Sequence, residues 1–136
     1  MLSLKDLDTA AASSDEFEFE YTNSEGNPTG VFLSILGSQA EAVTREVARL
    51  VNERRRKEAA REVSRKIGVG PKHAEFETME SDVEFGLRLA AVRLVGWRGI
   101  VEPWSAENAL ALCRGNRELA AQITTQSDLT GNFTKN

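Results

Sequence analysis

The sequence predicts an α+β fold: an N-terminal β-hairpin followed by a predominantly α-helical bundle of a long helix, a buried central helix and two short C-terminal helices. Three observations carry that reading. Phe17-Glu18-Phe19-Glu20-Tyr21 alternates strictly, with aromatics on one face and glutamates on the other, the period-two pattern of a half-buried strand. Ser38-Gln39-Ala40-Glu41 has the form of a capping box, with Ser38 as N-cap and Glu41 reaching back from the first turn. Ser105 and Asn116 each stand directly before a short apolar-periodic stretch, where side-chain oxygens can satisfy free helix-end N–H groups.

Residues 1–15 are short, small and polar around Ala10-Ala11-Ala12-Ser13-Ser14, which suits a mobile arm or a short helix that orders against a partner. The single α+β domain is expected over 16–127, with a flexible tail at 128–136. Asn23 to Gly30 is turn chemistry throughout, and joins the aromatic strand to a second one, Val31–Leu36, in an antiparallel hairpin. A lone hairpin is only marginally stable, so it needs a helix on its aromatic face or strands from another subunit. The long helix is expected from 39 to 67, about 43 Å at 1.5 Å per residue, with Gly68 as its stop. Val43, Val47, Val51, Ala59, Val63 and Ile67 follow i+4 steps interrupted at Arg55. Such a row drifts around the helix, so a bend or break is expected near 53–57. Gly68-Val69-Gly70-Pro71 reads as a linker. A second capping box, Ser81 with Glu84, places the central helix over about 79–95, apolar on nearly every side and hence buried. Two short helices follow at about 106–113 and 117–126, and the final ten residues read as disordered.

At 136 residues, 40% of them hydrophobic, the chain suits one domain with an ordinary core. No apolar run approaches the ~20 residues of a membrane helix. The first residues lack the basic start and apolar core of a signal peptide, so a cytoplasmic product is expected. One cysteine, Cys113, fits a reducing compartment. Charge is segregated: net −6 over residues 1–37, +5 over 38–72, −3 over 73–95, and balanced over 96–136. Such blocks favour head-to-tail or intramolecular pairing, or remain as solvated faces.

No catalytic residue, metal site or cofactor is expected. His73, the single histidine, sits in a polar linker beside Lys72 with no identifiable partner to make it a general base. Cys113 has no paired histidine and reads as a packing residue. One cysteine and one histidine do not supply a metal cluster, and Gly68-Val69-Gly70 lacks the rest of a dinucleotide loop. The candidate partner-binding residues are Arg54, Arg55, Arg56, Lys57, Trp97, Trp104 and Phe133. The basic run could neutralise phosphates, but Glu41/Arg45, Glu53/Lys57 and Glu62/Lys66 are spaced as i,i+4 helix ion pairs. No aromatics interleave with the run to stack bases, which disfavours nucleic acid. Trp97 and Trp104 bracket a turn and read first as core anchors, second as an exposed hot spot. Phe133, isolated in a polar tail, reads as a docking aromatic.

The last forty residues hold Gly96-Trp97-Arg98-Gly99-Ile100, Glu102-Pro103-Trp104-Ser105-Ala106-Glu107-Asn108-Ala109-Leu110 and the closing Asp128–Phe133. Together with Gly26–Gly30 they resemble the tail assembly chaperones of long-tailed, non-contractile phages, over residues 17–136. The resemblance implies a protein made in the infected or lysogenic bacterial cell that coats the tape-measure protein, keeps it soluble, promotes polymerisation of the major tail-tube protein around it and is absent from the mature virion. It also implies self-association, with the strand Val31–Leu36 or the basic helix as the subunit contact. A longer form made by ribosomal frameshifting exists in many members. Two other classes remain open: a structural tail or head-completion protein retained in the virion, and a small nucleic-acid-binding regulator using Arg54–Lys57.

Overall fold

A computed structural model describes residues 1–66 and 74–134, and among these every side chain except those of Arg65 and residues 74–78. The Gly68–Pro71 linker and His73 lie outside the described residues. The architecture is α+β, in two layers. Strands β1 (Phe17–Thr22), β2 (Pro28–Ile35) and β3 (Leu94–Arg98) form one antiparallel sheet in the order β1-β2-β3. The helices are α1 (Thr9–Ala12), α2 (Glu41–Lys66), α3 (Ala74–Ala91), α4 (Ala106–Gly115) and α5 (Arg117–Asp128), with a 3-10 turn at Thr130–Asn132.

The hairpin forms as the alternation requires. Phe17 pairs with Ile35 and Phe19 with Leu33. Leu33 pairs in turn with Trp97. Because side chains alternate along a strand, this register sends Phe17, Phe19, Tyr21, Val31, Leu33, Ile35 and Trp97 to one face, where they join the core. That core is completed from the helices by Leu87, Ala90, Ala109, Cys113, Leu119, Ala120 and Ile123. The connecting turn is shorter than expected: Asn23 Oδ1 accepts from the N–H groups of Glu25 and Asn27, both at 3.0 Å, and β2 resumes at Pro28.

The third strand is a correction. Residues 94–98 are not the end of the central helix; α3 stops at Ala91, a turn follows, and Leu94–Arg98 pairs with β2. An isolated Leu-Val-Gly-Trp-Arg has no reason to leave a helical run, but β2 would otherwise offer an unpaired edge. Gly99 then closes the strand at φ +87°, where a side-chain Cβ would meet the Gly30 carbonyl oxygen at 2.2 Å. α3 also begins before Ser81, so the expected capping box there is not made, and Val83 stays 41% exposed.

α2 runs unbroken through residues 53–57, about 39 Å long. Ala40, Val43 and Leu50 bury its first half, while residues 55–60 are exposed. No bend is needed because the i+4 row ceases to pack rather than switching neighbours. The Ser38 capping box is likewise replaced. The helix is entered at Ala40, whose carbonyl accepts from Thr44 N–H at 2.9 Å. Ser38 Oγ instead bonds Asp128 and lies 3.2 Å from Ser127 Oγ. The caps at Ser105 and Asn116 form as expected, accepting from Asn108 and Leu119 N–H, each at 3.0 Å.

Segments near both ends fold onto the body, residues 8–14 and 129–134. Asp8 caps α1, and Ser13 is buried, its carbonyl accepting from Gly37 N–H at 2.9 Å. Phe133 is 5% exposed and meets Phe17 edge-on, with ring centroids 5.8 Å apart. The expectations of a free N-terminal arm and a free C-terminal aromatic are therefore corrected for residues 8–14 and 129–134.

Candidate interaction surface

The seven residues singled out in the sequence do not come together. Arg54–Lys57 lie on α2, Trp97 on β3, Trp104 in the following loop and Phe133 in the core.

The basic run is divided by its helix face. Arg54 turns towards α3, stacks on Phe85 at 4.6 Å and pairs with Asp82 and Glu58. Lys57 pairs with Glu53 at 3.3 Å, and Arg88 approaches the same carboxylate at 4.0 Å. Arg88 also reaches Glu84 at 3.4 Å, and Glu84 holds Arg114 of α4. Between the two helices, Arg54 of α2 thus meets Asp82 of α3 while Glu53 of α2 meets Arg88 of α3. The segregated charge is used at least in part within the chain. Arg55 and Arg56 point outward, and among the described residues neither has an acidic partner. Glu84 is held below the usual carboxylate range by its hydrogen bonds to Arg114 foremost. Glu53 is lowered mainly by Lys57.

The tryptophans act as pins. Trp97, half-buried, donates its Nε1–H to the Glu102 carbonyl at 2.9 Å. Trp104 donates to the Leu94 carbonyl at 3.1 Å, tying the loop back to the start of β3. With the Ser105 cap and the Asn108 amide donating to the Pro103 carbonyl at 3.0 Å, the whole motif from Gly96 to Asn108 is one folded corner. Trp104 remains 40% exposed because its ring forms a wall of a groove of about 440 Å³. Leu50, Val92, Val95 and Leu110 line that groove, and Glu46, Arg49 and Arg88 stand at its rim. Sequence reasoning missed it: Val92 and Val95 read as helix interior, and only the end of α3 at Ala91 opens the space.

On the opposite side of the sheet, Arg98 lies 3.8 Å above the Phe32 ring and forms a forked pair with Glu18, at 2.8 and 3.2 Å. This lowers the Glu18 carboxyl and raises the Arg98 guanidinium. Cys113 is fully buried, and burial pushes its thiol up to about 11. At neutral pH it is a protonated packing residue rather than a nucleophile. Among the described residues no group of three or more His, Cys, Asp or Glu side chains could hold a metal ion. No helix among them is long and apolar enough to cross a membrane. Comparison with protein-family models, curated proteins and solved structures finds no match to this chain.

The surface has an apolar groove, a charged helical arm with exposed Val63, Met79 and Val83, and a strand face carrying the Glu18–Arg98 pair over Phe32.

Proposed function

We propose that the chain is a tail assembly chaperone of a long-tailed, non-contractile phage or prophage, acting without catalysis. It binds the tape-measure protein in the cytoplasm of the infected or lysogenic cell, keeps it soluble and releases it to tail-tube subunits. It does not remain in the mature virion. The reading rests on the resemblance carried by Gly26–Gly30, Gly96–Ala109 and Asp128–Phe133. Trp97, Trp104, Ser105, Asn108 and Phe133 are pins, caps and core. Partner contact then belongs to surfaces outside the motifs.

The arm of α2 and α3 is the element best suited to a long helical partner. It presents Arg55 and Arg56 on one side. On the other, Met79, Val83 and Leu87 share a shallow groove with Glu80, Glu84, Arg114 and Arg117, Arg114 being held by Glu84. Mixed apolar and charged surface of this kind holds an amphipathic helix loosely, and repetition along the partner supplies the avidity. A nucleic-acid-binding regulator is the weaker reading because Arg54 and Lys57 are already committed to Asp82, Glu58 and Glu53.

The test is co-expression with a tape-measure protein from the same genome. A soluble complex that Met79→Asp/Val83→Asp or Arg55→Glu/Arg56→Glu disrupts supports the proposal. A tape measure that stays insoluble overturns it. Salt-dependent retention of DNA or RNA, abolished by the arginine reversal, would select the regulator instead, and recovery of the chain from purified particles would select a structural tail protein.

A further inference from the structure

The loop between β2 and α2 is held from both ends of the chain, at alternate residues. Leu36 and Ser38 are taken by the end of α5. Ser127 Oγ donates to the Leu36 carbonyl at 2.8 Å, Ser38 N–H donates to the Ser127 carbonyl at 3.0 Å, and Ser38 Oγ donates to Asp128. Gly37 and Gln39 are taken by the N-terminal segment. Gly37 N–H donates to the Ser13 carbonyl at 2.9 Å, and Thr9 Oγ1 donates to Gln39 Oε1. The two sets interlock at Gly37. A Cβ there would lie 2.6 Å from Ser13 Oγ and 3.1 Å from Phe133 Cδ2, so both ends press on one side of the same glycine. The loop is also the root of α2: the Gly37 carbonyl accepts from the N–H of buried Ala40 at 3.0 Å.

We infer that residues 8–14 and 127–134 form one latch over Leu36–Gln39 that opens and closes as a unit, so that freeing either end frees the other and loosens the root of α2. Neither end holds its shape alone. α1 has four residues and the 3-10 turn three, far below the length at which an isolated helix is stable in water. Each therefore depends on the surface that the other completes. Without Phe133, one side of Ser13 and the edge of the Phe17 ring lose their cover. Without Ser13, the Gly37 N–H loses its acceptor beside the Phe133 ring. Groups that share a neighbour in this way couple energetically. The sheet does not depend on the latch, because Leu36 N–H donates to the Arg93 carbonyl at 2.9 Å, in the turn between α3 and β3. A small unit tied at the margin of a closed core opens at a lower free energy than the core itself. The open form presents the Phe17 and Phe133 rings and lets α2 shift at its base. The inference concerns only contacts within this chain and stands apart from the tape-measure reading.

The test is native-state hydrogen exchange of the full chain by NMR, in water and in low urea. Gly37 N–H reports the N-terminal segment, Ser38 N–H the C-terminal one and Ala40 N–H the root of α2, with Leu36 N–H as the reference for the body. In wild type the first three are expected to share one opening constant and one urea dependence, with opening at least about tenfold more frequent than at Leu36. Asp8→Ala acts on one end only, removing the cap in which Asp8 Oδ1 accepts from Ala11 N–H at 2.9 Å. Asp128→Ala acts on the other, removing the acceptor of Ser38 Oγ. Each is expected to raise opening at all three amides together, by about three- to tenfold, and circular dichroism melting checks that each variant still folds. Asp8→Ala accelerating Gly37 while Ser38 keeps its wild-type rate, or Asp128→Ala doing the converse, would overturn the inference. So would three amides that exchange only as slowly as Leu36, through unfolding of the whole molecule.

Discussion

Replacing Phe133 by alanine tests whether the C-terminal residues are part of the core or a free docking tail. The ring is 5% exposed, edge-on to Phe17 at 5.8 Å, and pressed close to Gly37, where an added Cβ would lie 3.1 Å from Phe133 Cδ2. Removing a buried phenylalanine ring costs about 3–5 kcal/mol in lost transfer energy and residual cavity. The site is at the edge of the core and its segment can relax, so the lower part of that range, about 3–4 kcal/mol, is expected. For a chain of this size that is a fall of roughly 10–15 °C in Tm. Urea unfolding followed by circular dichroism gives the free energy, and an unchanged m-value shows that the folded state keeps its extent. A double-mutant cycle of Phe17→Leu with Phe133→Leu should return a coupling of about 0.5–1.5 kcal/mol from the ring contact. If Phe133→Ala costs less than about 1 kcal/mol, the ring is not packed as described and the docking-tail reading returns.

Gly99→Ala should destabilise by more than about 2 kcal/mol, because it combines φ +87° with a backbone oxygen at 2.2 Å from the new Cβ; thermal melting checks it, and a neutral effect would mean β3 does not close on Gly30. Glu84 gives a pH signature. Its folded-state value lies below the ordinary 4.5, through Arg114 first and Arg88 second, so its contribution is present above the unfolded value and lost as pH falls through the folded one. Wild type should therefore lose more urea stability between pH 5 and pH 3 than Glu84→Gln does, by less than about 1 kcal/mol because the pair is solvent-screened; parallel curves would refute it. The Cys113 thiol, buried and pushed up to about 11, should react with Ellman's reagent at pH 8 only as fast as the protein unfolds, and labelling at the denatured rate would show an open core.

The parts of this fold legible in the sequence are those fixed within a few residues. Period-two alternation at Phe17–Tyr21 demands a strand whatever it later meets, and Ser105 and Asn116 cap their helices through N–H groups three residues on. The parts decided by tertiary structure depend on distant partners. Leu94–Arg98 is a strand because β2 needs a second neighbour, although its residues continue an apolar helical run. Ser38 abandons a local capping box because Ser127 and Asp128 wait beside it. Phe133 is buried because Phe17, 116 positions earlier, and Gly37 leave a space of its shape. The candidate surface follows the same rule. Charge blocks were visible in the sequence, but which arginines face Asp82 and which face water depends on the seating of α3 against α2. The Trp104 groove exists only where α3 ends and β3 begins. Local hydrogen bonding and side-chain period write the elements, while the long-range packing that sets edges, burial and open grooves is a property of the assembled layers.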